Sequence, residues 1–131
     1  EHALRCGQTQ DPALALVATG FGYEADRRAA QAELLTKLLP NVRDIRRIGA
    51  AALDLCRVAE GTVDAYFEHG INAWDFAAGA IIAREAGAVV RHPGFDKGSA
   101  DGELTWAAGA DLAPAFEKLL AAHRATDALR G

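Results

Sequence analysis

Two short segments hold residues whose types and spacing could do chemistry. The first is Gly49-Ala50-Ala51, between a strand-like run and a helix-forming run. The first amides of a helix have no intrahelical partners. Gly and Ala leave them uncovered, so a phosphate or a sugar hydroxyl could approach. A tight strand-to-helix turn calls for glycine as well. The second segment is Glu68-His69-Gly70-Ile71-Asn72-Ala73-Trp74-Asp75, where two carboxylates flank a glycine-containing loop that leads into a helix. Asp75 follows Asn72 at the spacing of a capping box, where an acidic group also favours the helix dipole. The same carboxylate suits a hard cation such as Mg²⁺, which prefers oxygen ligands. Glu68 carries a similar ambiguity between a solvated strand end and a binding role.

Other chemistry finds little support. His2, His69, His92 and His123 are scattered without HxH or HExxH spacing. Ser99 is the only serine and falls in a loop, so no serine nucleophile stands in an elbow, and no GxGxxG or Walker loop occurs. Cys6 and Cys56 are far apart with no CxxC spacing, and Cys56, on a helix, reads as a buried inert thiol. Arg43, Arg46 and Arg47, interrupted by Asp44, read as a solvated strand edge or as attraction for an anionic substrate.

The elements that must position these residues alternate. An apolar run at 13–18 predicts a strand that ends at Thr19-Gly20. Ala30, Leu34, Leu35, Leu38 and Leu39 predict the buried stripe of a helix that Pro40 stops, with Arg27 and Arg28 off it. A strand is expected over 42–48, then a helix over 50–60 with Ala52, Leu53, Cys56 and Ala59 as its apolar stripe. Strand residues return over 63–68. Asn72 is expected to cap a helix over 73–86 that buries Trp74, Ala77, Ala78, Ile81 and Ile82. A short strand at 88–91, a turn-rich loop, a last strand at 104–108 and a final helix capped by Asp111 complete the order. Leu112, Phe116, Leu119, Leu120 and His123 form the stripe of that helix, and the tail from Ala125 is expected to fray. About five strands alternating with four helices favour an α/β layered sandwich whose mixed sheet is flanked by helices.

The 131 residues, half of them hydrophobic, suit one globular domain over 1–131. Charged residues make up 24% and the net charge is -4, values that suggest neither disorder nor a nucleic-acid partner. No apolar run approaches the roughly 20 residues of a membrane helix. No signal peptide leads the chain, so a cytoplasmic setting is expected. The chain opens at Glu1 and contains no Met. It is therefore expected to be a fragment, a processed product or part of something larger.

The segment 74–87, from Trp74-Asp75-Phe76-Ala77-Ala78-Gly79 to Arg84-Glu85-Ala86-Gly87, resembles the C-terminal signature of the inositol monophosphatase family. Ala18-Thr19-Gly20-Phe21, the segment from Arg46 to Leu55 and the segment from Val63 to Glu68 resemble further family blocks in the same order. The resemblance covers about Leu14 to His123. It implies the second half of a two-part layered sandwich and a Mg²⁺-dependent phosphomonoesterase acting on inositol 1-phosphate or a related polyol or sugar phosphate. It implies Asp75 as a metal ligand, Glu68 as a contact for substrate hydroxyls, and Gly49, Ala50 and Ala51 as a turn facing the substrate. The expected partners are that small substrate, an N-terminal half and a second copy in a homodimer, with no nucleic acid and no membrane. Ala50 stands where the family often has Ser or Thr, and Ala88 replaces the second Gly of E-A-G-G. The family's G-E-E-like and D-P-x-D-G-T-like blocks, which supply most metal ligands, are absent, so this chain alone is expected to be inactive. Histidinol-phosphate and fructose-1,6-bisphosphate phosphatases share the architecture. A non-catalytic binding or assembly domain that keeps the fold is a further alternative.

Overall fold

Five short strands are β1 (Leu16–Thr19), β2 (Asp44–Arg46), β3 (Ala65–His69), β4 (Ala88–Arg91) and β5 (Leu104–Gly109) in a computed structural model that describes residues 4–129. They form one mixed sheet in the order β2-β1-β3-β5-β4. β1 runs parallel to β2 and β3, whereas β5 is antiparallel to both β3 and β4. The four helices are α1 (Ala25–Leu38), α2 (Ala51–Glu60), α3 (Ala73–Glu85) and α4 (Ala113–Ala122).

Strand alternation sorts the core into two layers. Ala18, Tyr66 and Ala107 face α2 and α3, whose Leu55, Val58, Phe76 and Ala83 complete that cluster. Val17, Phe67 and Trp106 face the other side, where Leu34 and Leu38 of α1 and Phe116 and Leu120 of α4 cover them. The result is a helix–sheet–helix sandwich. Among the described residues no helix is long and apolar enough to cross a membrane.

Several helix faces differ from the expected ones. α2 buries Asp54, Leu55, Val58 and Ala59, while Leu53 is exposed and Cys56 only half-buried. α3 buries Phe76, Gly79, Ala80 and Ala83 and leaves Trp74 81% and Ile81 58% exposed. α3 is apolar on nearly every side, so its periodicity carries no direction. Close approach to α2 decides the face instead: a Cβ on Gly79 would lie 2.8 Å from the Leu55 Cβ. α1 buries Arg27 and Gln31 beside Leu34 and Leu38, with Leu39 exposed.

The ends also differ. Residues Pro12–Leu14 form a 3₁₀ turn under the Asp11 side chain, which delays β1 to Leu16. β2 is three residues long, inside the longer expected strand. α4 has Leu112 at its N-cap position with no side-chain bond, so Asp111 does not cap it. The tail does not fray at Ala125. Ala125 is fully buried, and its carbonyl lies 2.6 Å from a His69 ring nitrogen. Leu129 donates its N–H to the Gly102 carbonyl, while its own carbonyl accepts from Arg27 Nε. His2 lies outside the described residues.

Candidate active site

Parallel strands bring their following loops to one end of the sheet, and α/β ligands usually sit there. In this fold β1, β2 and β3 are each followed by a short loop and a helix start, and the three loops enclose a cleft of about 560 Å³. Gly20, Arg47, Glu68, Trp74 and Asp75 border it, together with the Gly49-Ala50-Ala51 turn. The five residues singled out in the sequence, Gly49, Ala50, Ala51, Glu68 and Asp75, therefore meet at one place. A separate void of about 10 Å³ beside Thr19 and Leu34 has room for no more than a water.

The turn into α2 is built for an open helix start. Gly49 has φ +96, a left-handed conformation that favours glycine. Ala50 occupies the N-cap position in an extended conformation and makes no side-chain cap. The first amides of α2 thus have no side-chain acceptor from their own cap, and they border the cleft.

Glu68 projects from the end of β3. Its Oε1 accepts a 2.7 Å hydrogen bond from the Tyr66 hydroxyl. Its carboxylate lies against Gly20, where an added Cβ would fall 2.5 Å from Oε1. Burial pushes the Glu68 pKa up, and the nearby Asp75 carboxylate adds to that, while the Tyr66 bond and Arg47 pull it down. Tyr66 is itself fully enclosed, and burial next to Glu68 keeps its phenol protonated.

Asp75 sits in the first turn of α3. One oxygen, Oδ2, accepts from the Asn72 backbone N–H at 2.9 Å, which is half of a capping box. Asn72 Oδ1 accepts from Ser99 N at 2.8 Å and fastens the β4–β5 connection to the start of α3. Asp75 therefore has a capping role and one oxygen outside that bond.

The arginine cluster splits by role. Arg46 pairs with Asp44 at 3.0 Å on the exposed edge, where the Ile45 amide and then Arg46 hold the Asp44 carboxyl below its ordinary range. Arg47 turns to the cleft, its guanidinium 5.8 Å from the Phe21 ring. His69 is buried, not in an open loop, and burial lowers its pKa.

Sequence reasoning missed Tyr66, Gly20, Arg27, Thr105 and Asp54. Asp54 interrupts an apolar helical spacing, Ala51-Asp54-Leu55-Val58, and that interruption was the available signal.

Mg²⁺ requires near-octahedral oxygen coordination. Among the described residues no group of three His, Cys, Asp or Glu side chains could hold a metal. This chain's donor set does not fit the ion by itself.

A family model described as "Inositol monophosphatase family" matches residues 1–128. An inositol-1-monophosphatase of Mycobacterium leprae is 60% identical over 92 residues, which are 70% of this chain and 32% of that protein. A Nus factor SuhB of Pasteurella multocida is 47% identical over 66% of this chain and 33% of its own length. The solved structure of Mycobacterium tuberculosis SuhB superposes with a TM-score of 0.85 at 46% identity, covering 96% of this chain and 49% of that one. The chain thus spans about a third of these curated relatives and about half of the solved one.

Proposed function

Because the chain belongs to the inositol monophosphatase family, we propose that it forms the substrate-recognising part of a Mg²⁺-dependent phosphomonoesterase for inositol 1-phosphate or a related polyol phosphate. One observation carries this reading: Glu68, Asp75 and the uncapped start of α2 border one cleft at the ends of the parallel strands.

Each group has a task set by its chemistry. The amides that follow Gly49, at Ala50 and Ala51, receive phosphate oxygens with the helix dipole behind them. With Ala50 in place of a hydroxyl residue, backbone groups alone do this work. Arg47 adds a positive charge at the rim. Glu68 accepts hydrogen bonds from the hydroxyls of the departing alcohol. Asp75 holds the start of α3 with Oδ2, and its other oxygen would serve as a ligand for a metal whose remaining carboxylates come from an N-terminal half. Bound there, Mg²⁺ would supply an activated water and neutralise phosphate charge.

The exposed apolar side chains Leu53, Trp74 and Ile81 on α2 and α3 support a covering half. A second reading, a binding or assembly module, draws support from the relative named a Nus factor. Glu68→Gln in the assembled enzyme tests the first reading. Turnover of inositol 1-phosphate should fall much more than turnover of p-nitrophenyl phosphate, whose leaving group has no polyol hydroxyls. Equal turnover of both substrates by the variant and the parent would remove Glu68 from substrate recognition.

A further inference from the structure

Among the described residues, three buried side-chain oxygens lack a hydrogen-bond partner: both carboxyl oxygens of Asp54 and the hydroxyl of Thr105. Both residues are fully enclosed. Buried polar atoms are seldom left this way in native proteins. The three lie in one neighbourhood. Thr105 stands directly opposite Glu68 in the β3–β5 ladder. The preceding pairs settle which face these two side chains share. Tyr66–Ala107 belongs to the core under α2 and α3, and Phe67–Trp106 belongs to the other. Glu68 and Thr105 therefore lie together on the α2/α3 side, with Cβ atoms about 5 Å apart as cross-strand partners. Asp54 comes down from α2 onto the same side, next to Leu55, and its charge interacts with Glu68 and Tyr66.

A carboxylate has about four acceptor positions. Tyr66 fills one on Glu68. A threonine hydroxyl can donate, and so can a carboxyl that keeps its proton.

We infer that Thr105 and Asp54, which make no direct bond to Glu68, reach it through a bridging water and form with Tyr66 a buried cradle of donors that fixes the direction in which Glu68 presents its carboxylate to the cleft. They are positioning residues for selection among polyol phosphates. Neither borders the cleft, so each acts through Glu68. Burial and the neighbouring Glu68 raise the Asp54 pKa to about 7, against the pull of Arg47, which keeps Asp54 a donor up to neutral pH. A glutamate held in place in advance loses less freedom when a ligand arrives than one that must be ordered at that moment. This inference rests on the reading of Glu68 as the contact for substrate hydroxyls.

The test compares Thr105→Val, Thr105→Ser, Asp54→Ala and Asp54→Asn with the parent in the assembled enzyme. kcat/KM is measured for inositol 1-phosphate and for p-nitrophenyl phosphate. Thr105→Val and Asp54→Ala should cut kcat/KM for the inositol ester about tenfold, roughly one hydrogen bond's worth, mainly through KM. The aryl ester should stay within about twofold, and Ser and Asn, which keep a donor, should restore selectivity. Equal losses on both substrates, or no loss from Thr105→Val, would overturn the inference. Should the parent hydrolyse neither ester, the phosphatase reading fails and a crystal structure of the protein decides the cradle separately. The cradle requires an ordered water about 2.6–3.2 Å from the Glu68 carboxylate that also bonds Thr105 Oγ1 and the Asp54 carboxyl. Thr105 bonded to a backbone carbonyl, with Asp54 turned from Glu68, would refute it.

Discussion

Replacing Asp54 with asparagine should change how stability depends on pH more than it changes stability in acid. Asp54 has no exposed surface. Burial first, and the Glu68 carboxylate second, raise its pKa from 3.8 to about 7, while Arg47 pulls the other way. In the unfolded chain it returns to about 3.9. Between about pH 4 and pH 7 the folded protein therefore holds a proton that the unfolded chain has released. Stability falls as pH rises through that window and levels off above it. About three units at 1.36 kcal/mol each amount to about 4 kcal/mol. Glu68, whose pKa is also raised, adds to the same slope. His69, whose pKa is lowered by burial, opposes it, losing stability as pH falls below the ordinary histidine range. Subtracting the variant from the parent cancels much of both. Asparagine cannot ionise, so the parent should lose about 4 kcal/mol relative to Asp54→Asn between about pH 4 and pH 8. Urea unfolding followed by circular dichroism in half-unit pH steps reads this directly. A difference that stays constant with pH, or that moves in the parent's favour as pH rises, would refute the reasoning.

Three further outcomes are expected. Asp75→Asn keeps an oxygen for the Asn72 amide, so stability should change by only about 0.3–1 kcal/mol, while the magnesium needed for half-maximal turnover rises steeply; a loss of several kcal/mol with unchanged metal dependence would make Asp75 a structural cap. Gly20→Ala should displace the Glu68 carboxylate, whose Oε1 would lie 2.5 Å from the new Cβ, and lower kcat/KM for inositol 1-phosphate without a matching loss on an aryl phosphate, at a stability cost of about 1–3 kcal/mol. The isolated chain should bind a hydrophobic dye at the outer face of α2 and α3, and a charge at Ile81, which is 58% exposed, should abolish that binding; unchanged dye fluorescence would place the apolar surface elsewhere.

The order of elements was legible because turn residues punctuate short apolar runs. β4 and α2's end at Gly61 fall where composition puts them. The buried faces of α2 and α3 were not. Two apolar helices that pack through Gly79 and Leu55 leave their bulkier residues outside, and no periodicity within one helix reports that contact. The strand order was equally hidden, since β5 pairs between β3 and β4 through contacts remote in sequence. At the site, Glu68 and Asp75 stood out because carboxylates flank a loop. Tyr66, Thr105 and Asp54 did not, because a tyrosine, a threonine and an aspartate in ordinary elements become a cluster only when β3, β5 and α2 meet. Arg27 was expected off the buried stripe of its helix, yet it is 5% exposed and bonds the chain's tail at the Leu129 carbonyl.

The most direct test of the phosphatase reading is phosphate release from inositol 1-phosphate, with and without magnesium, by this chain alone and by this chain assembled with an N-terminal half. The chain alone should release none, since among the described residues no three ligand side chains gather where Mg²⁺ needs several oxygens. Assembly should bring turnover that a chelator abolishes. Robust turnover by the chain alone, or a stable assembly that binds magnesium and releases no phosphate, would contradict it.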